Sequence, residues 1–454
     1  MGPSRTRLEP RRRALVALAA GTLAGAIAGA TLLTSASPDA VGGPLPVVLH
    51  AAPALVDAQR PVQLAAASVC DDPGSASCDV RAATVDVRPA TAGGWTRLDG
   101  RLVQGAFRFD IPAELVPQEG FWYWIGLSTA AGEDVAYPPG GADAAFRVLT
   151  TAGLPARVLG ELDWDRRRHA DETALRLPYG GAAGHVGRTD GGTDRLPAGP
   201  SSFDIGPGGS IYVADWVNRR IQIFDERGRF RRSIALPVPV PADLAVADRG
   251  RVFVSTLGAD ATAVELAADG RVVGRYPVAY GVVARIAATP AGPRVLAGPA
   301  QWAGVRGASG TPLTAQAQAA TQTSSVPLEG GDVGVSQDLP GNRVAFAWTR
   351  SDGSRAGAVV SLPRGVSPGS DYFVQPLEGG GAVAARGLWD GTHNGVGVFR
   401  FDAEGRIVTF DLLPEPSTEQ DARFSTVRFA PPADIFVAYA EAGGVRIDRF
   451  EVTR

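Results

Sequence analysis

The sequence predicts an all-β protein: an N-terminal hydrophobic helix, then a β-sandwich, then a six-bladed β-propeller. Three observations predict it. A charge-free run follows a cluster of arginines, residues 41–150 alternate with period 2 between turn residues, and residues 155–454 repeat a strand pattern. With 45% hydrophobic and 20% charged residues over 454 positions, the chain has ample material for buried cores. All 44 basic residues are arginine. The absence of lysine excludes Schiff-base and pyridoxal chemistry and a P-loop whose Lys reaches the β- and γ-phosphates. Abundant Arg, Ala, Gly and Pro together fit a codon bias as its origin.

The first forty residues read as a signal peptide or membrane anchor. Arg5, Arg7, Arg11, Arg12 and Arg13 precede an uncharged run from Ala14 to Leu33, and Thr34-Ser35-Ala36 follows as a small-residue cleavage site. The run is long enough to cross a bilayer, so cleavage and retention through residues 14–33 both remain open. Either way the positive flank stays in the cytoplasm and the rest of the chain is exported. The five arginines and Glu9 carry +4 of a total charge of −3, which leaves −7 beyond the signal. A mildly acidic exported chain has no general attraction for phosphate backbones, so nucleic acid is not an expected partner. Cys70 and Cys78 enclose seven residues of turn character. In an oxidising compartment they are expected to form a disulfide, contributing about 2.5 kcal/mol by loop-closure entropy.

Residues 41–150 show the period of half-buried strands. Val85 and Val87 flank Asp86, Phe107, Phe109 and Ile111 alternate with Arg108 and Asp110, and Phe146 and Val148 flank Arg147. Short strands between turn residues, without an amphipathic helix, indicate a β-sandwich. The pattern resembles an immunoglobulin-like or fibronectin-type module. The run Phe121-Trp122-Tyr123-Trp124-Ile125 suits a strand covered on both faces. Trp122 and Trp124 share one face; packing against the opposite sheet is the ordinary explanation, and stacking on sugar rings is the functional one.

From residue 155 onward the chain aligns with itself. Phe203–Asp215 is matched by Leu244–Ser255, by Ile286–Leu296, by Val333–Val335 with Val344–Phe346, and by Val427–Ala438. Inner strands are expected to begin near 203, 244, 286, 333, 382 and 427. Each unit reads as four strands, with an Asp-Gly type of turn before the last, and a four-stranded unit at this period is a propeller blade. The segment Arg157–Leu162 is expected as the outer strand of the last blade, closing the ring.

Pro200, Phe203–Ile205, Gly209, Ile211–Asp215, Asn218, Arg220, Ile221 and Phe224 together resemble an NHL repeat. The resemblance implies a six-bladed propeller similar to those of binding proteins, lactonase relatives and amidating lyases. It also implies that Asp215, Asn218 and Arg220 are structural: the Asp and Asn order a turn and the Arg spans blades.

Ligands are expected where interblade loops and second hairpin turns meet. The Gly-rich loop Leu177–Pro200 carries His185, Arg188, Asp190 and Asp194, and His393 falls in the corresponding turn of blade five. The leading functional expectation is a non-enzymatic binding or scaffold protein holding a protein or glycan partner at this face, without a cofactor. The alternative is a lactonase- or lyase-like enzyme with a metal near His185 and His393; their spacing matches no ligand motif, and no metal ligand or catalytic residue is assigned. Gly365-Val366-Ser367-Pro368-Gly369 matches a nucleophile-elbow pattern, but Pro368 and an all-β context oppose the strand–turn–helix that an elbow needs.

Overall fold

The computed structural model describes residues 46–452, apart from 51, 70–74, 139, 191–197, 257–259, 279–282, 290–291, 298–300, 308, 315–316, 319–325, 328–332, 351, 417–425 and 431–433. The expected hydrophobic helix of residues 14–33, Cys70 and Asp194 therefore lie outside the described residues. Among the described residues no helix is long and apolar enough to cross a membrane.

The first domain is built from β1 (Val47–His50), β2 (Leu55–Val56), β3 (Val62–Val69), β4 (Val80–Pro89), β5 (Thr96–Asp99), β6 (Arg101–Val103), β7 (Ala106–Ile111), β8 (Phe121–Thr129), β9 (Asp134–Tyr137) and β10 (Phe146–Thr150). They form two sheets, ordered β1-β3-β7-β6 and β2-β10-β8-β4-β5, with β9 also on β8. One buried cluster, including Leu64, Val85, Val87, Phe107, Phe109, Tyr123, Ile125 and Val148, draws on both sheets. Alternation places Phe121, Tyr123 and Ile125 in this core and turns Trp122 and Trp124 to the other face, where both are half-buried. The expectation that the two tryptophans pack in the core is thus corrected. The strand has one parity for the core, and the Phe-Tyr-Ile set takes it.

His50 is buried in this core. Its Nδ1 lies 2.7 Å from Ala65 O and its Nε2 2.6 Å from the Tyr123 hydroxyl. Burial lowers its pKa from 6.5 to about 4, against a smaller opposing effect of the Ala65 carbonyl.

The remaining strands make six sheets. Two precede the first blade: β11 (Ala156–Val158) and β12 (Glu172–Pro178). Blade one is β13 (Ser202–Ile205), β14 (Ile211–Asp215), β15 (Arg220–Phe224) and β16 (Phe230–Ala235); blade two is β17 (Pro241–Val246), β18 (Val252–Thr256), β19 (Thr262–Leu266) and β20 (Val272–Pro277). Blade three has β21 (Val283–Thr289), β22 (Gly292–Ala297) and β23 (Gln301–Gly304). Blade four has β24 (Val326–Pro327), β25 (Val333–Leu339), β26 (Arg343–Thr349) and β27 (Arg355–Ser361), with β11 beside β27. Blade five is β28 (Ser367–Pro376), β29 (Ala382–Trp389), β30 (Asn394–Phe401) and β31 (Ile407–Pro414). Blade six is β32 (Val427–Ala430), β33 (Asp434–Glu441) and β34 (Gly444–Glu451), completed by β12.

Inner strands touch in sequence around the axis: β13 on β17, β17 on β21, β21 on β24, β24's neighbour β25 on β28, β28 on β32, and β32 back on β13. The sheets form a closed β-propeller. The turn into the last strand recurs with one device. Asp225 accepts hydrogen bonds from the backbone N–H of Arg227 (3.0 Å) and Arg229 (2.8 Å), and Asp402 accepts from Glu404 (3.0 Å) and Arg406 (2.8 Å).

Two expectations about blade order need correction. The closing strand is β12, antiparallel to β34, whereas β11 lies parallel to β27 in blade four. The reason is delivery. The first domain docks on blade four, where Asp57 pairs with Arg343 at 2.6 Å and Ala54 and Leu55 join Val335, Leu339 and Ala345 in one cluster, so the chain leaves it beside β27. The inner strand of blade five is β28, and the strand starting at Ala382 is second. Register shifts between Pro368, Asp371 and Phe373 break the alternation that would have revealed β28.

Between β11 and β12 the chain runs as a strap along blades four to six. Leu159 N donates to Ser361 O at 3.0 Å, Arg168 N to Leu412 O at 2.8 Å, and Glu451 N to the Asp171 carboxylate at 2.8 Å.

His50 supplies a pH test. The unfolded chain protonates this imidazole near pH 6.5 and the folded chain near 4, so its stabilisation is complete above 6.5 and is lost as the pH falls from 6.5 to 4. The loss is about 3 kcal/mol by linkage. In urea unfolding across this range, His50→Gln is expected to flatten the pH dependence relative to the parent; identical slopes would refute it.

Candidate functional site

The two faces of the propeller differ in the turns they carry. One bears the first and third hairpin turns of each blade; the other bears the second turns and the interblade crossings. Between them the inner strands are fastened by buried charge. Arg428 on β32 donates to Phe203 O (Nε, 2.7 Å), to Ser202 Oγ (Nη2, 3.1 Å), to Leu244 O (Nη2, 3.0 Å) and to the Asp243 carboxylate. Asp243 is fully buried, takes Ser202 Oγ–H at 2.5 Å on one oxygen, and takes Ile286 N–H at 3.1 Å on the other. Blades six, one, two and three are thereby joined. Asp204 adds a bond from Val246 N at 2.7 Å; burial holds its carboxyl above the ordinary value, partly offset by the Arg428 charge. This arrangement positions strands and presents no reacting group to solvent.

On the second-turn face, Asp215 is fully buried at the end of β14. It accepts from Gly187 N (2.8 Å), Asn218 Nδ2 (2.9 Å), Arg220 Nε (2.9 Å) and Gln222 Nε2 (3.2 Å). Arg220 Nη2 donates onward to Ala182 O (2.7 Å) and His185 O (2.8 Å), Gln222 Nε2 to His185 O (2.6 Å), and Asn218 to Gly180 O (2.9 Å). The motif clamps the Gly-rich crossing from blade six onto blade one. Position 187 requires glycine, because a Cβ there would lie 2.5 Å from Val217 Cβ. Arg188 lies over Tyr179 at 5.1 Å, and Asp190 is exposed.

His393 is held elsewhere. Its Nδ1 is 3.0 Å from Asp390 Oδ2, and its ring stacks on Trp164 of the strap at 5.7 Å. Asp390 also accepts from the backbone N–H of His393 and Thr392. These bonds, the His393 N–H first, pull its carboxyl down to about 2. The structure does not bring His185 and His393 into one ligand set: the first contributes its carbonyl to the blade-one clamp, and the second is tied to blade five. Among the described residues no group of three His, Cys, Asp or Glu converges for a metal. Ser367 begins β28, with no helix behind it, so the nucleophile-elbow pattern forms no elbow.

A groove lies on the opposite, first-turn face. It has a volume of about 360 Å³ and winds around the Gly206–Gly209 turn of blade one, from blade six to blade two. Ile205, Val246, Ala430 and Phe436 supply apolar lining, and Glu172, Glu226, Asp248 and Asp434 supply carboxylates. Its single guanidinium, Arg449, is engaged by Asp434 (2.7 Å) and Glu172 (3.5 Å). Sequence reasoning missed this site because its residues come from three blades and share no motif. It also missed Arg428 and Asp243, although a charge inside each apolar inner strand was a visible signal.

No family model matches the chain, and no curated protein sequence matches it. Its structure is similar to hydrazine synthase of Kuenenia stuttgartiensis (TM-score 0.37, 13% identity, 55% of this chain and 79% of that one). It is also similar to virginiamycin B lyase from Staphylococcus aureus (0.33, 13%, 56% and 85%) and to a protein of unknown function from Bacteroides thetaiotaomicron (0.35, 9%, 92% and 100%). What makes this chain a propeller is its own closed ring of six sheets.

Two substitutions test these networks. Arg428→Met leaves Asp243 buried without its cation and is expected to lower unfolding free energy by about 3–5 kcal/mol in urea titrations. Asp215→Ala leaves four donors short of an acceptor, so limited trypsin digestion should cut after Arg188 much faster than in the parent. Equal rates would show that the clamp does not hold the crossing.

Proposed function

We propose that this chain is an exported, non-enzymatic binding protein whose propeller holds a segment of a protein partner. The observation that carries the reading is the composition of the first-turn groove. Apolar lining beside four carboxylates and one neutralised guanidinium suits an extended peptide with a basic side chain. The lining residues include no histidine, cysteine or serine, and the four carboxylates are the only groups there with general-base character. The groove lies on the face opposite the crossing loops that the sequence favoured, and the proposal follows the groove. Export through residues 1–40, a Cys70–Cys78 staple, an immunoglobulin-like first domain and an NHL-like repeat are parts of the same proposal. They rest on the arginine-flanked apolar run, the cysteine spacing, the two sheets over one core and the Asp215-Asn218-Arg220 set. A glycan at the propeller face is a weaker fit, since no tryptophan or tyrosine lines this groove.

The lactonase- or lyase-like alternative needs a metal that His185 and His393 do not converge to hold. Titration of the full chain with a randomised peptide library should enrich Arg- or Lys-containing sequences. Glu226→Gln with Asp248→Asn should weaken the best of them at least tenfold, about 1.4 kcal/mol. Failure to enrich basic peptides, or stoichiometric metal lost on His185→Ala, would overturn the proposal.

A further inference from the structure

We infer that the outer face of the first domain's β2-β10-β8-β4-β5 sheet is a second binding site, for an acidic polysaccharide carrying carboxylates on its sugar rings. Four side chains form one row across neighbouring strands. Trp95 stands just before β5, Arg88 on β4, Trp122 on β8 and Arg147 on β10, with Arg88 and Arg147 each directly opposite Trp122. The Arg88 guanidinium lies over the Trp95 ring at 4.7 Å, and that of Arg147 over Trp122 at 5.5 Å. Indoles and guanidiniums alternate along the row, and Trp95 and Trp122 remain half-buried.

The charge of the row is unbalanced. Asp86, the carboxylate beside it on β4, is bonded to Arg97 at 3.1 and 3.2 Å. Arg88 and Arg147 have no carboxylate partner among the described residues. Arg355 of blade four donates to Ala152 O at 3.0 Å and lies within the field of Arg147, which extends the positive strip toward the propeller. In a chain that is otherwise mildly acidic, this strip selects an anionic ligand.

The geometry selects the class of anion. A neutral sugar would stack on open indole faces, but here guanidiniums cover ring faces. The surface therefore offers planar N–H forks in fixed orientation, which match carboxylates in bidentate fashion. Arg88 and Arg147 sit on strands separated by β8, so their backbones are roughly 9.5 Å apart. That spacing suits acidic groups recurring along an extended polymer. Because the indoles already hold the guanidiniums, little side-chain entropy is lost on binding.

The test is titration of the full chain with polygalacturonate, with dextran and with double-stranded DNA as comparison polymers. The expected result is salt-sensitive binding of polygalacturonate, with dextran and DNA at least tenfold weaker. Arg88→Gln and Arg147→Gln should each weaken polygalacturonate at least tenfold. Arg147→Lys, which keeps the charge without the planar fork, should fall between Arg147→Gln and the parent. Equal binding of DNA, equal binding of dextran, or parental affinity in both Gln variants would overturn the inference. The groove variants Glu226→Gln and Asp248→Asn should leave polygalacturonate affinity unchanged, which separates this site from the propeller groove.

Discussion

The buried pair of Arg428 and Asp243 is the constraint on which the ring depends. Neighbouring blades pack through the faces of their sheets, and apolar packing sets no strict height of one blade against the next. A guanidinium that must reach Phe203 O, Ser202 Oγ, Leu244 O and Asp243 together permits only one height for β32, β13 and β17. The second oxygen of Asp243 extends the same condition to β21 through Ile286 N. Burial makes the condition strict, because an unmet charge or donor there has no water to replace its partner. The remaining blades use related fastenings. Arg386 on β29 reaches Ser336 and Asp338 on β25, and Phe373 meets Phe429 between blades five and six.

Closure of the ring is also chemical at its outer side. The strap between β11 and β12 passes along three blades, and its Trp164 and Arg168 anchor to His393 and Asp411 of blade five. Just after the first domain β11 joins blade four, and after the strap β12 completes blade six. The first domain and the propeller are therefore coupled by chain continuity, by the Asp57–Arg343 pair and by a shared apolar cluster. The two proposed sites lie on different sheets of this assembly, one rich in carboxylates and one in guanidiniums.

How much was legible depended on sequence distance. Devices contained in one hairpin could be read directly: Gly209 at a first turn, the Asp225 and Asp402 turns, and the alternation of β7 around Arg108 and Asp110. Asp215, Asn218 and Arg220 lie within six residues of one another and were readable as a motif, but the crossing that they hold, through Gly180, Ala182, His185 and Gly187, was not. Contacts between distant segments were not readable. Nothing near residue 428 announces Ser202 or Asp243, and nothing near Glu172 announces Asp434. The β28 strand was hidden for a different reason, since its bulges interrupt the period by which strands are recognised.

Local patterning by itself determined that this chain is all-β, that its units repeat about every 50 residues, and where most inner strands begin. Alternation and turn chemistry act between neighbours in the chain, so the sequence carries them in plain form. The tertiary structure alone decided which strand closes the ring, which face of β8 holds the tryptophans outside the core, and where carboxylates from three blades gather. Those outcomes follow from packing and buried hydrogen bonding between segments up to a few hundred residues apart. Each such choice is settled by the alternatives it must exclude, and no local window of the sequence contains them.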